Sequence, residues 1–176
     1  MNKNKSRWIV VDVESDGPIQ GVHSMVCFGA VIVEDGLERT FYGKTKPVSE
    51  EFNPDALAIS GFSREEHENF DDPKEVMENF KNWLKENVDG QPVLISDNNG
   101  YDAAWINWYF HKFLGGNPFG WSSRRLPDLI CGYENDMRFR WKHLRDSKHT
   151  HHPVDDAKGN AEVLLKYRDK GLKIKL

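Results

Sequence analysis

Cysteine is scarce in this sequence of 176 residues: it has two, Cys27 and Cys131, whose spacing fits neither a disulfide framework nor a paired metal site. Both are expected to be reduced residues in or near a core. No apolar run approaches the roughly 20 residues needed to span a bilayer. No signal peptide precedes Trp8, so a cytoplasmic location and no membrane partner are expected. Internal repeats, low-complexity tracts and interdomain linkers are also missing, which suits one domain over residues 1–176, with 1–6 a flexible N-terminus. Positive charge is in deficit, with 24 Lys and Arg against 28 Asp and Glu and a net charge of −4. That balance argues against a large footprint on a nucleic-acid duplex and fits a short, single-stranded grip. A hydrophobic fraction of 38%, with 6 Trp and 10 Phe, is enough to build a core despite 30% charged residues.

What the sequence does have is acid in awkward places. Trp8 to Val13 is an apolar, β-branched run that reads as a buried strand, yet it contains Asp12 and leads into Glu14. Side chains alternate across a strand, so Asp12 and Glu14 share one face, with Val11 and Val13 on the other. Two buried like charges side by side need a cation, because uncompensated buried charge is expensive. A solvent-exposed strand end with Lys or Arg partners would also accommodate them.

A second acid stands at a similar boundary. Val93 to Ile95 reads as a short strand running into the turn cluster Ser96-Asp-Asn-Asn-Gly100 and then into an aromatic-rich helix from about Tyr101 to Phe113. Asp102 falls in the first helical turn, where the macrodipole favours an anion, although acids are common there in any helix. Tyr101, Trp105 and Trp108 are expected to pack that helix. In the third segment, Pro153 suits a first helical position, and Val154, Ala157, Ala161 and Leu164 give an apolar stripe. His151 then sits on the loop leading into the helix, with Asp156 about one turn inside. An imidazole with an ordinary pKa of about 6.5 beside acidic groups suits proton abstraction from water. The run His149, His151 and His152 would also suit a solvated loop or adventitious metal binding. A structural zinc site from His143, His149, His151 and His152 is disfavoured, because no cysteine set accompanies them.

Taken together, Asp12-Val-Glu14, Asn98-Asn-Gly-Tyr-Asp102 and His151-His-Pro-Val-Asp-Asp156 resemble, in order and spacing, the three motifs of the histidine-containing (DEDDh) branch of the DEDD exonuclease superfamily. Its members include the proofreading subunit of bacterial replicative polymerase, ribonuclease T and oligoribonuclease. The resemblance spans about residues 7 to 168. It departs at Asp97, where the family often has His, and at Pro153, where a small residue is common. Of the adjacent acids Asp155 and Asp156, the family spacing selects Asp156.

The resemblance implies an α/β, ribonuclease H-like fold: a mixed five-stranded sheet flanked by helices, with Asp12 on the central strand. It implies a metal-dependent 3′-5′ exonuclease that hydrolyses single-stranded RNA or short 3′ overhangs to nucleoside 5′-monophosphates. Asp12, Glu14, Asp102 and Asp156 would hold two Mg²⁺ or Mn²⁺ ions, for which hard oxygen ligands are suited, and His151 would be the general base. Ser15, Asp16, Gly17 and Asn98 would hold the terminal nucleotide. Phe62 would stack on its base, unless it is a core aromatic. RNA is slightly preferred on resemblance to small stand-alone members, and a homodimer could supply further binding surface. The alternatives are a 3′-5′ DNA exonuclease of proofreading or repair and, more remotely, a non-catalytic nucleic-acid-binding module.

Elsewhere, strands are expected at about Met25 to Glu34 and Leu37 to Lys44, joined by a turn at Glu34-Asp-Gly36. A short helix is expected near Asn53 to Ile59, another after a capping box at Ser63 to Glu66, and an amphipathic one from Pro73 to about Glu86. Leu126 to Leu129 reads as a strand and Tyr133 to Leu144 as helical. Arg124, Arg125, Arg138, Arg140, Lys142, Arg145 and Lys148 precede the third motif, where they could track a phosphate backbone or simply be solvated.

Overall fold

The computed structural model describes residues 7–174, so the expectation for 1–6 lies outside the described residues. Its strands are β1 (Trp8–Ser15), β2 (Met25–Ile32), β3 (Thr40–Lys44), β4 (Val93–Ser96) and β5 (Ser123–Arg125). Its helices are α1 (Pro54–Ile59), α2 (Arg64–Glu68), α3 (Pro73–Asn87), α4 (Asp102–Leu114), α5 (Leu126–Glu134) and α6 (Pro153–Asp169). The strands form one sheet in the order β3-β2-β1-β4-β5, antiparallel on the β2 side of β1 and parallel on the β4 side. The expected mixed five-stranded sheet flanked by helices is therefore present, with β1 at its centre.

Two apolar layers hold it. Ile9, Val11, Val13 and Phe28 pack with Met77 and Phe80 of α3 and with Trp105, Tyr109 and Phe110 of α4. On the opposite face, Val10, Val31 and Ile95 pack with Leu126 and Ile130 of α5 and with Ala157, Ala161 and Leu164 of α6. Coverage on both faces is why β2 is apolar throughout and buried along its whole length. Period-two alternation along β1 then puts Asp12 and Glu14 on the same face as Val10, under the start of α6.

Helix starts follow local chemistry. Asp72 caps α3 by accepting the Lys74 N–H, and Ser63 and Glu66 form the expected reciprocal capping box of α2. Two expectations fail between residues 123 and 145. Leu126 to Leu129 is the first turn of α5, and the strand lies just upstream at Ser123–Arg125. Pro127 has no N–H for a sheet ladder but suits a helix start, and Leu126, Ile130 and Cys131 recur at helical spacing on the buried side. The helix expected through Leu144 stops at Glu134, where Asn135 adopts φ 53°, a left-handed cap. Beyond it, only Lys142–Leu144 forms a 3₁₀ turn.

One glycine fixes how closely α6 approaches the sheet. Gly29 lies directly across from Asp12 on β2, and a Cβ built on it would sit 2.4 Å from backbone atoms of Pro153 and Val154. Without a side chain there, the start of α6 can rest on the sheet beside Asp12. Gly29→Ala is expected to destabilise the protein by about 1–3 kcal/mol in a denaturant titration. Gly132, inside α5 with nothing within 4 Å of a built Cβ, should respond oppositely to Ala. A gain of about 0.5–1 kcal/mol is expected there.

Candidate active site

Three chain segments meet over the end of β1. Asp12 and Glu14 project from β1 toward α6, and the β1–β2 register shifts between Glu14 and Ser15, where the strand leaves the sheet. Asp156 lies in the first turns of α6 and is almost fully buried. Carboxylate oxygens of Asp12, Glu14 and Asp156 lie within 4.8 Å of one another. Asp102, the first residue of α4, is also buried but stands outside that group.

Backbone amides hold two of these acids. The Asp102 carboxylate accepts the N–H of Val13 at 3.3 Å and of Asn98 at 3.1 Å, which ties α4 to β1 beside Asp12. The Asp156 carboxylate accepts the N–H of Thr150 at 3.1 Å and of His151 at 2.9 Å. The loop before α6 is thereby folded back on the helix, and His151 takes φ 60°. Its imidazole is half exposed, with Nδ1 3.7 Å from Glu14 Oε1. The structure thus brings His151 together with Glu14 and Asp156.

Burial and mutual repulsion show in the acids' proton affinity. Burial, followed by the charges of Asp102, Glu14 and Asp156, holds the Asp12 carboxyl well above its ordinary range. Burial, then Asp156 and Asp102, raises Glu14 from 4.5 to about 7. Burial raises Asp102 from 3.8 to about 7, with the Asp97 charge adding to it and the Asn98 amide opposing. Among the described residues, neither Asp12 nor Glu14 pairs with a Lys or Arg. A close, cation-poor set of carboxylate oxygens fits hard divalent cations such as Mg²⁺ or Mn²⁺.

The other expected site residues are placed as follows. Ser15 is buried, with its Oγ bonded to Gly17 O and the Tyr101 hydroxyl. Asp16 is fully buried; its carboxylate accepts the Ser24 N–H and pairs with Arg64 at 3.1 Å. Its backbone N–H and C=O bond Ser24 and Asn53. Asp16 therefore braces the end of β1 through every polar group it carries. Gly17 packs beneath His23, whose ring leaves no room for a Cβ. The Asn98 backbone orients Asp102, while the residue itself is exposed. Phe62 is half-buried, edge-on to Phe70, in a small cluster on Cys27, the residue directly across from Glu14.

Sequence reasoning missed the role of Arg145. It was grouped with the basic residues before the third motif, yet its guanidinium is nearly buried, 3.8 Å from Asp156 and 3.7 Å from Asp97, and it donates to Asn160 Oδ1. The departure at Asp97 was the available signal: an acid where the family often has His invites a buried cation. Lys142 also pairs with Asp97, and Arg125 with Asp128, so part of the basic cluster is used internally. Arg124, Arg138, Arg140 and Lys148 are exposed.

The raised carboxyls give a stability profile with a definite sign. Between the ordinary range near 4 and about 7, the folded protein keeps protons that the unfolded chain has released, so stability falls as pH rises through that window. Chelator-treated protein should therefore lose melting temperature between about pH 4 and about pH 7, and Asp12→Asn should flatten the slope. Added Mg²⁺ should restore more stability at the upper end than at the lower.

Comparison with known proteins gives a consistent set of likenesses. The Exonuclease family model (RNase_T) matches residues 9–164. A 3′-5′ DNA exonuclease, Cap18 of Escherichia coli, is 34% identical over 151 residues, covering 84% of this chain and 79% of that protein. A PolC-type DNA polymerase III of Thermotoga petrophila is 24% identical over 169 residues, 91% of this chain but 12% of the polymerase. Among solved structures, the nuclease domain of 3′hExo, a DEDDh family member bound to rAMP, superposes with a TM-score of 0.78 at 14% identity, covering 97% of this chain and 96% of that one. The E. coli ExoI complex with single-stranded DNA gives 0.67 at 19% identity, over 96% of this chain and 42% of that one. These likenesses establish the ribonuclease H-like exonuclease fold.

Proposed function

The chain belongs to the Exonuclease (RNase_T) family, and we propose on that basis that it removes nucleoside 5′-monophosphates from the 3′ end of a single-stranded nucleic acid. The observation that carries this reading is the meeting of Asp12, Glu14, Asp156 and His151 over one strand end. A module that only binds nucleic acid has no use for buried carboxylates held together against their repulsion. DNA is the first substrate to test, because the 34% identical relative is described as a DNA exonuclease. RNA, the expectation from small stand-alone members, is the second.

In this proposal Asp12, Glu14 and Asp156 would hold one divalent ion, and Asp102 would hold the other. Bound there, the ions supply electrostatic stabilisation to the attacking and leaving oxygens. His151 takes the proton of the attacking water. Its half-exposed ring can exchange that proton with solvent, and Glu14, 3.7 Å from Nδ1, steadies it. Asp156 acts twice, through its oxygens toward the ion and through the amides of Thr150 and His151, which fix where the base stands. Phe62, half-buried against Phe70 in the cluster on Cys27, would stack on the terminal base.

The test is incubation of 5′-labelled single-stranded DNA, single-stranded RNA and overhang duplexes with Mg²⁺ or Mn²⁺. Ladders shortening from the 3′ end are expected, and chelation should abolish them. His151→Ala should lower the rate by roughly 10²–10⁴-fold, and Asp12→Asn by at least about as much. Full activity in both variants would sink the assignment. Phe62→Ala should raise the Michaelis constant on the order of tenfold. An unchanged constant would return Phe62 to the core.

A further inference from the structure

The loop before α6 supplies two imidazoles where the proposed reaction needs one. His149 Nδ1 stands 2.7 Å from Asp156 Oδ1, and the His149 and His151 rings meet edge to face with centroids 4.3 Å apart. Ligand atoms of His149, His151 and Asp156 lie within 4.8 Å of one another, forming a second group beside Asp12, Glu14 and Asp156. The two groups share Asp156 and differ in chemistry. One is all carboxylate; the other is two imidazoles and a carboxylate.

We propose that His149, His151 and Asp156 form a separate, inhibitory site for a borderline transition-metal ion, Zn²⁺ above all. Imidazole nitrogen suits Zn²⁺, whereas Mg²⁺ prefers oxygen and keeps its water. An ion bound there occupies the proposed base and a proposed Mg²⁺ ligand together, so zinc and catalysis exclude each other. That inhibition rests on the exonuclease reading; the metal site itself rests on geometry alone.

The site is close to formed. Donors about 2.0–2.1 Å from a tetrahedral ion lie roughly 3.3 Å apart, so the His149–Asp156 contact would open by about half an ångström. The His151 donor, within 4.8 Å of both, would close by up to about 1.5 Å through rotation of its half-exposed ring. The loop's turn is already fixed by the Thr150 and His151 amides on Asp156, and by His151 at φ 60°. Both imidazoles are about half exposed, at 49% and 51%, so an ion can reach them without unfolding the loop, and water can take the fourth position. Arg145, 3.8 Å from Asp156, opposes a cation, but Asp97 at 3.7 Å offsets its charge. The third histidine of the run is turned elsewhere: His152 packs on Tyr42 at 4.8 Å and faces Asp155.

The experiment uses the full chain as wild type, His149→Ala and His152→Ala, with Co²⁺ and Zn²⁺ as probes. Co²⁺ in a nitrogen and oxygen site gives a visible absorption band that needs no substrate, and Zn²⁺ displacing it reads the zinc affinity. Wild type and His152→Ala are expected to bind one Zn²⁺ equally, and His149→Ala on the order of 10- to 100-fold more weakly. With each protein's Mg²⁺-dependent rate normalised to its own zinc-free value, His149→Ala should need correspondingly more zinc for half inhibition. Equal zinc affinity in all three proteins overturns the site, as does an equal loss in His152→Ala, which would mark a histidine-rich loop without a defined site. Weaker binding by His149→Ala with unchanged inhibition overturns the inhibitory role and puts the inhibiting zinc on the carboxylates. A protein inactive on every nucleic acid fails the exonuclease reading, and the absorption measurement then decides the metal site by itself.

Discussion

Carboxylates repel one another, and burying them strengthens the repulsion; the end of β1 gathers three within 4.8 Å, with a fourth alongside. The surrounding structure makes that tolerable. Asp102 and Asp156 each sit at a helix start, where the macrodipole favours an anion, and each accepts two backbone N–H groups. Arg145 sets a nearly buried positive charge between Asp156 and Asp97. What remains uncompensated appears at Asp12, Glu14 and Asp102, whose carboxyls hold their protons well above the usual range. The chain's net charge of −4 is small enough for a few divalent cations to offset.

Holding the charges in register is the work of apolar packing on both faces of the sheet. Phe28, Phe80, Trp105 and Phe110 anchor α3 and α4 on one face of the sheet, and Val10, Val31, Ala157 and Leu164 anchor α6 on the other. The two layers fix Asp102 and Asp156 relative to Asp12 from opposite sides. Gly29 sets the closest approach, because any side chain opposite Asp12 would meet the backbone at the start of α6. The same packing lets the loop before α6 do two jobs. It turns His151 toward Glu14 and His149 toward Asp156, so that an oxygen-rich and a nitrogen-containing ligand set share one aspartate.

How much was legible from sequence varies with how local the signal is. β1, β4 and the starts of α2, α3 and α6 were readable, because strand alternation, capping residues and proline at a helix start act within a few residues. The stretch from Leu126 to Leu144 was misread, since a short apolar run suits a strand or a buried helix turn equally until its packing partner, α6, is known. At the site, spacing was enough to separate Asp156 from Asp155, one buried against the sheet and the other turned to solvent. Spacing said nothing of Arg145, Asp16 or His149. Arg145 is 11 residues from Asp156 in the chain and 3.8 Å from it in space, and Asp16 meets Arg64 across 48 positions.

The sequence by itself determined which residue types could do chemistry here and on which elements they sit: acids on an apolar strand, an acid at each of two helix starts, and a histidine loop ahead of a proline. Those follow from backbone periodicity and helix-end electrostatics, which are local. Only the tertiary structure decided which acids stand close together, which arginine braces them and which two of His149, His151 and His152 come within 4.8 Å of the same aspartate. Those are matters of distance between segments up to 144 positions apart, from Asp12 to Asp156, set by how two apolar layers close on one sheet and by a glycine that lets a helix come near.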